Sequence, residues 1–314
     1  LLYDFGEDKP GQAQNHDRAM PMTTRVTVGR PQDGAAPDRA GRPDPASASF
    51  ADAFAAVCDR TPAAVALSTE GGDISFAALD RAANRLAHGL GAAGLVPGEA
   101  VGVVVGRSAA LPEAFLAILK AGGIYLPLGA DLPAERLATM ARVAGMRFAL
   151  RLDPPPPGLA EAAPGLVLLD PASLAAGRPA DRPALRRRPD DPATILFTSG
   201  STGQPKGVPL RHQSLINMVR GHIEAQRIGP DDRILLASAP GFILGFRELC
   251  LPLLAGAACV PVGRALLDDP VALAAEMTRR RVSVALFTPS YLRLFQRRAP
   301  AGLRLLMTAG ERPD

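Results

Sequence analysis

The tightest constraint on this chain is a ten-residue run in which hydroxyls, glycines and one cation are crowded together: Thr198, Ser199, Gly200, Ser201, Thr202, Gly203, Gln204, Pro205, Lys206 and Gly207. Glycines let backbone N–H groups turn toward an anion with no Cβ in the way, Ser and Thr hydroxyls add donors, and Lys supplies compensating charge. The apolar run at 194–197 reads as a short buried strand. The stretch 210–219 reads as a helix with Leu215, Ile216 and Val219 apolar. The loop is thus predicted to leave the carboxyl end of a strand, where open α/β sheets hold ligands. Two commoner phosphate loops are excluded. Pro205, Lys206 and Gly207 stand where a P-loop needs Gly-Lys-Ser/Thr, and no Gly-x-Gly-x-x-Gly occurs here. Lysine usage separates the run from an ordinary Ser/Gly/Pro surface loop, because only Lys9, Lys120 and Lys206 among 35 basic residues are lysine.

From residue 49 onward, short β-rich runs alternate with helical stretches, which predicts an α/β fold with parallel or mixed sheets. Strands are expected at 101–105, 166–169, 194–198, 233–237, 257–262, 282–286 and 303–308, and helices at 75–90, 111–120 and 271–280. Pro-rich connections are expected at 153–158 and 179–192, the second delivering the chain to the loop. Residues 1–48, rich in Gly, Pro, Asp, Arg and Ala, read as a disordered leader or inter-domain linker.

The net charge of +4 does not point to nucleic acid, because the arginines are scattered and aromatics make up only 4% of the chain. The longest apolar stretch, 242–262, is broken by Arg247 and Glu248, which argues against a membrane span. Cys58, Cys250 and Cys259 lack disulfide or metal spacing and suit a reducing cytoplasm, each read as a small buried hydrophobe.

The run from Phe197 to Gly207 resembles the signature of the acyl-adenylate-forming (AMP-binding) superfamily, which includes nonribosomal peptide synthetase adenylation domains, acyl-CoA synthetases and luciferases. Leu119-Lys-Ala-Gly-Gly-Ile-Tyr-Leu-Pro-Leu128, Asp131-Leu-Pro-Ala-Glu-Arg-Leu137 and Ile74-Ser-Phe-Ala-Ala-Leu79 resemble upstream adenylation-domain motifs in the right order. The resemblance covers residues 49–314 and implies the large N-terminal domain of an adenylate-forming enzyme, truncated before its C-terminal domain. It implies activation of a carboxylic acid by ATP as an acyl-adenylate, which is then handed to a carrier-protein phosphopantetheine thiol. A CoA ligase acting on acyl or aryl acids is the alternative within enzymes; a truncated, catalytically incompetent nucleotide-binding fragment is the alternative outside them.

By the same resemblance Thr198, Ser199, Gly200, Ser201, Thr202, Gly203, Lys206 and Gly207 hold the ATP phosphates, while Gly310 and Glu311 lie near the adenine. Mg2+ accompanies ATP, its usual carboxylate ligand falling beyond Asp314. No metal ligand and no certain catalytic residue are assigned within the chain, and efficient catalysis is expected to need the portion beyond it. His212 reads as a helix-start packing or capping residue. The substrate pocket maps to Phe242, Ile243, Leu244, Arg247, Leu286, Met307 and Ala309. Ile243 stands where amino-acid-activating domains carry the Asp that pairs with the α-ammonium, so an aryl, keto, hydroxy or aliphatic acid is expected. Arg247 is left with two readings, a contact to a second acidic group or a pairing with a neighbouring Glu.

Overall fold

The computed structural model describes residues 2–4, 49–185, 187–199, 205–295 and 300–309. Its first half runs β1 (Leu2–Asp4), α1 (Phe50–Arg60), β2 (Val65–Thr69), β3 (Gly72–Ser75), α2 (Phe76–Ala92), β4 (Ala100–Val105), α3 (Leu111–Lys120), β5 (Ile124–Gly129), α4 (Ala134–Ala144), β6 (Phe148–Arg151), α5 (Leu159–Ala162), β7 (Val167–Leu169) and α6 (Pro171–Ala175). The second half runs β8 (Pro192–Ser199), β9 (Pro205–Arg211), α7 (His212–Ala225), β10 (Arg233–Leu236), α8 (Ile243–Ala255), β11 (Ala258–Pro261), α9 (Arg264–Asp268), α10 (Pro270–Arg279), β12 (Val284–Phe287), α11 (Pro289–Leu292) and β13 (Leu305–Thr308).

These strands build two mixed sheets. One has the order β7-β6-β4-β5-β8-β9, parallel except for the β8–β9 pair; the other has the order β1-β13-β12-β10-β11-β2-β3. One face of each sheet turns to a shared core. Val101, Val103, Tyr125 and Leu196 from the first join Leu236, Cys259, Leu286 and Met307 from the second, with α1, α2, α3, α7 and α8 packed among them. The opposite faces are covered separately, the first sheet by α4 and α5 and the second by α9 and α10. Strands buried on both faces explain the continuous apolar run of β4, all six residues of which are buried.

Local chemistry sets the helix starts. Ser49 and Asp52 form a capping box ahead of α1, and the Ser75 hydroxyl accepts from the Ala78 N–H (3.2 Å) to begin α2. The expected strands are present with ends shifted by up to two residues, β4 and β8 being longer than expected and the others shorter or shifted. β1, β2, β3, β5, β6 and β9 were not anticipated. In β5, Pro127 sits inside a central strand, and pairing to β8 is confined to Tyr125 and Thr194; beyond that point proline has no N–H to extend a ladder.

One expectation is corrected. The loop does not lead into a helix at 210; it closes a hairpin, and β9 runs antiparallel to β8 with Ser199 opposite Pro205 and Phe197 opposite Gly207. Pro209 biases Val208 toward extended backbone, so the helix waits until His212.

The connection before β8 is held by a buried charge network. Lys120 Nζ donates to Asp80 Oδ1 (2.5 Å) and Asn84 Oδ1 (2.7 Å), and Asn84 Nδ2 donates to the Ala180 carbonyl (2.8 Å). Arg182 bridges Asp80 (2.9 Å) and Asp59 (2.8 Å). Of residues 1–48, only β1 is described, paired antiparallel with β13. None of the described helices is long and apolar enough to cross a membrane. The three cysteines are buried and free, and burial pushes the Cys58 thiol up to about 12.

Candidate active site

Side-chain alternation along β8 decides which way the residues flanking the loop face. Leu196 joins the core shared by the two sheets, whereas Ile195 and Phe197 pack on the other face with the α4 cluster. Thr198 therefore continues the face turned to the shared core, and its cross-strand partner Lys206 lies beside it. Both are exposed, and the Thr198 hydroxyl donates to the Lys206 carbonyl at 3.5 Å. Lys206 takes part in no ion pair among the described residues, which leaves its ammonium free for an anion. Gly207 answers a different need. A Cβ there would come within 3.0 Å of Ile195 Cγ2 and 3.3 Å of Phe197 Cζ, so its missing side chain makes room for Phe197 on the outer face of the hairpin. Gly200, Ser201, Thr202, Gly203, Gly310 and Glu311 lie outside the described residues, as does the side chain of Ser199.

The second sheet contributes an apolar patch. Leu286 and Met307 are register partners on β12 and β13, 1% and 4% exposed, and Leu244 at the start of α8 packs against the same core. Ala309 follows β13 and extends its ladder by donating its N–H to the Phe287 carbonyl (3.4 Å). Phe242 and Ile243 are 67% and 50% exposed at the N-terminal end of α8, forming a rim rather than a buried wall.

Arg247 lies one turn further along α8. Its Nε is buried with no hydrogen-bond partner among the described residues, and burial depresses its guanidinium pKa. The expected alternative, a pairing with the neighbouring Glu, is not what that Glu does. Both Glu248 oxygens are engaged elsewhere: Oε2 accepts from the Ala237 and Ser238 N–H groups (both 2.8 Å) and Oε1 from the Ser238 hydroxyl (2.7 Å). Burial raises the Glu248 pKa to about 7 against the opposing pull of those hydrogen bonds.

Sequence reasoning missed Glu248 and Arg107. Glu248 did leave a signal, since it and Arg247 are the two charged residues of an otherwise apolar helix. Arg107 left none. It lies just past β4 beside a crevice that it shares with Leu236, Ser238 and Pro240, and its Nε donates to the Ala237 carbonyl (2.8 Å). His212 has the packing role expected of it. Fully buried, it accepts the Phe50 N–H on Nδ1 (3.2 Å), and burial lowers its pKa to about 4.

Thr198 and Lys206, which flank a run of phosphate-binding composition, and an apolar patch thus lie on faces of two sheets turned toward one another. A family profile described as AMP-binding enzyme matches residues 54–314. The chain belongs to that family. It is similar to phosphinothricin tripeptide synthetase PhsC of Streptomyces viridochromogenes, 39% identical over 256 residues that make up 80% of this chain and 23% of that protein. Among solved structures it resembles the nonribosomal peptide synthetase FmoA3 in an AMPPNP-bound form, at TM-score 0.75 and 29% identity, covering 87% of this chain and 30% of that one. It also resembles ATP-bound MatB from Rhodopseudomonas palustris, at TM-score 0.72 and 25% identity over 83% of this chain and 55% of that one. The chain is adenylation-domain-like and matches the N-terminal portion of such structures, spanning about a quarter of the length of PhsC.

Proposed function

We propose that this segment supplies the ATP-phosphate and acid-binding surfaces of an enzyme that activates a carboxylic acid as its acyl-adenylate and passes the acyl group to a carrier-protein thiol. The observation that carries the proposal is the shared orientation of Thr198 and Lys206 on one sheet and Leu286 and Met307 on the other, with Leu244 of α8 packed against the same core. Attack by a carboxylate on the α-phosphate of ATP expels pyrophosphate, so charge grows on the β- and γ-phosphate oxygens. Lys206 and the Thr198 hydroxyl flank the loop 200–204, where they would meet that charge, with the loop's glycines and hydroxyls as further donors. Among the described residues no group of three or more His, Cys, Asp or Glu could hold a metal ion, and no step is assigned to Mg2+.

The acid is proposed to lack an α-amine. Ile243 offers an ammonium no acceptor, and Glu248 is buried with both oxygens engaged. An ammonium beside Ile243 would meet neither a carboxylate nor another acceptor from α8, so the site gains nothing by binding one. Acid-dependent ATP–pyrophosphate exchange, measured on the protein at its natural length with aryl, keto, hydroxy, aliphatic and amino acids, tests both parts. Absence of exchange with every acid overturns the activity, whereas preference for a common α-amino acid overturns only the acid class.

A further inference from the structure

The backbone of Ala237 is gripped from two sides. Its N–H donates to Glu248 Oε2 (2.8 Å), and its carbonyl accepts from Arg107 Nε (2.8 Å). Glu248 belongs to α8 of the sheet that carries the apolar patch, whereas Arg107 follows β4 of the sheet that carries the phosphate hairpin. Ala237 is the first residue past β10, and the segment it opens runs directly to Phe242, Ile243 and Leu244. That segment is packed down tightly. Phe242 N–H donates to the Ala239 carbonyl (3.1 Å), and a Cβ on Gly245 would overlap the Ala239 carbonyl oxygen and come within 2.9 Å of its carbon. Gly245 is thus a site of close approach that lets α8 lie on the segment Glu248 fastens.

Resting on the reading above, we infer that Glu248 and Arg107 are positioning residues for the acid pocket. Together they fix the 237–242 segment to both sheets and so set where Phe242, Ile243 and Leu244 meet the substrate. Neither is placed to touch the reacting atoms. Ser238 completes the arrangement, because its hydroxyl donates to an ionised Glu248 and accepts from a protonated one, so that the grip survives either state. Charge around Glu248 comes from Arg247 on its own helix and from Arg107 across the crevice, and the Cys259 thiol on β11 also faces it.

The test compares Glu248→Ala, Glu248→Gln and Arg107→Ala by amide hydrogen exchange on this chain and by pyrophosphate-exchange kinetics on the natural-length protein. In Glu248→Ala the Ala237 and Ser238 amides are expected to exchange about tenfold faster or more, relative to Leu235, as befits loss of hydrogen bonds to a carboxylate. KM for the best acid of the panel should rise by a similar factor, while KM for ATP stays within about twofold. Glu248→Gln keeps an acceptor for both N–H groups and should return both readouts to near wild type. Arg107→Ala should speed exchange of the same amides, and it decides the matter if Glu248→Ala does not fold. Unchanged amide exchange, a parallel rise in both KM values, or a Gln variant as impaired as the Ala variant would each overturn the inference. If no acid supports pyrophosphate exchange, the acyl-adenylate reading fails, while amide exchange still decides whether Glu248 and Arg107 hold the segment.

Discussion

Charges in two regions of the molecule are treated in opposite ways. Beneath the Pro-rich connection, Lys120, Asp80, Arg182 and Asp59 neutralise one another, with Asn84 filling the remaining valence. On α8, Arg247 buries an Nε with no partner among the described residues, and Glu248 is held by backbone donors and the Ser238 hydroxyl rather than a cation, while Lys206 on β9 lies exposed with no carboxylate partner among the described residues. Buried charge without a counter-charge is costly, so a fold retains it where something outside the fold will meet it or where it positions what does. We read the paired region as scaffold and the unpaired one as the proposed site.

The largest effect should come from breaking the scaffold. Asp80→Ala strands Lys120 in the core, and unfolding in denaturant should show a loss of about 3–5 kcal/mol, with Lys120→Met added to it recovering part. A loss below about 1 kcal/mol would erase the contrast between the regions.

Next comes pH. The Glu248 pKa rises from 4.5 to about 7 on folding, so the folded state holds the extra proton and stability falls as pH climbs between those values. The His212 pKa drops from 6.5 to about 4, so the unfolded state holds the extra proton and stability rises across that window. Each contribution is about 3 kcal/mol, and the two oppose between pH 4.5 and 6.5. Wild type should therefore show a nearly flat denaturation midpoint there, and Glu248→Gln should unmask a midpoint that climbs with pH. A flat profile in the variant would overturn the His212 assignment, and a wild-type midpoint that already climbs would overturn the Glu248 one.

On the hairpin, Lys206→Ala should weaken ATP binding by about ten- to a hundredfold in calorimetry with an unchanged melting temperature, because it removes a charge-assisted contact and no internal pair. Equal ATP affinity in the variant would remove Lys206 from the site. The smallest effect is expected from Ile243→Asp, which should shift the ratio of exchange rates toward the amino analogue of the best acid by about tenfold, since the exposed rim screens the new charge. No shift would place the substrate's α-carbon away from α8.

Much of this organisation could be read in residue order. The alternation of strands and helices revealed the α/β class, because it depends on short-range pattern, and the loop's composition is what motivates the phosphate proposal. What stayed hidden depended on partners far along the chain. β9 looks like the start of a helix until β8 is there to pair with it, and β5 contains a proline that a central strand is expected to avoid. Glu248 looked like a break in an apolar run; its meaning came from Ala237 and Ser238, ten or eleven residues away and brought close by the turn into α8. Arg107 could not have been found, since its partner lies 130 residues on.

The hairpin also governs how the molecule meets others of its kind. β9 is the outer strand of its sheet, and such a strand normally presents a row of free N–H groups on which a neighbouring chain can build. Pro205, Gly207, Pro209 and Arg211 share one parity along β9, and prolines within a ladder occupy the positions that point away from it. Two of those four outward positions carry no N–H at all. An edge so depleted of donors is a poor template for a further strand, and the hairpin that carries the run 200–204 also discourages the protein from stacking on itself.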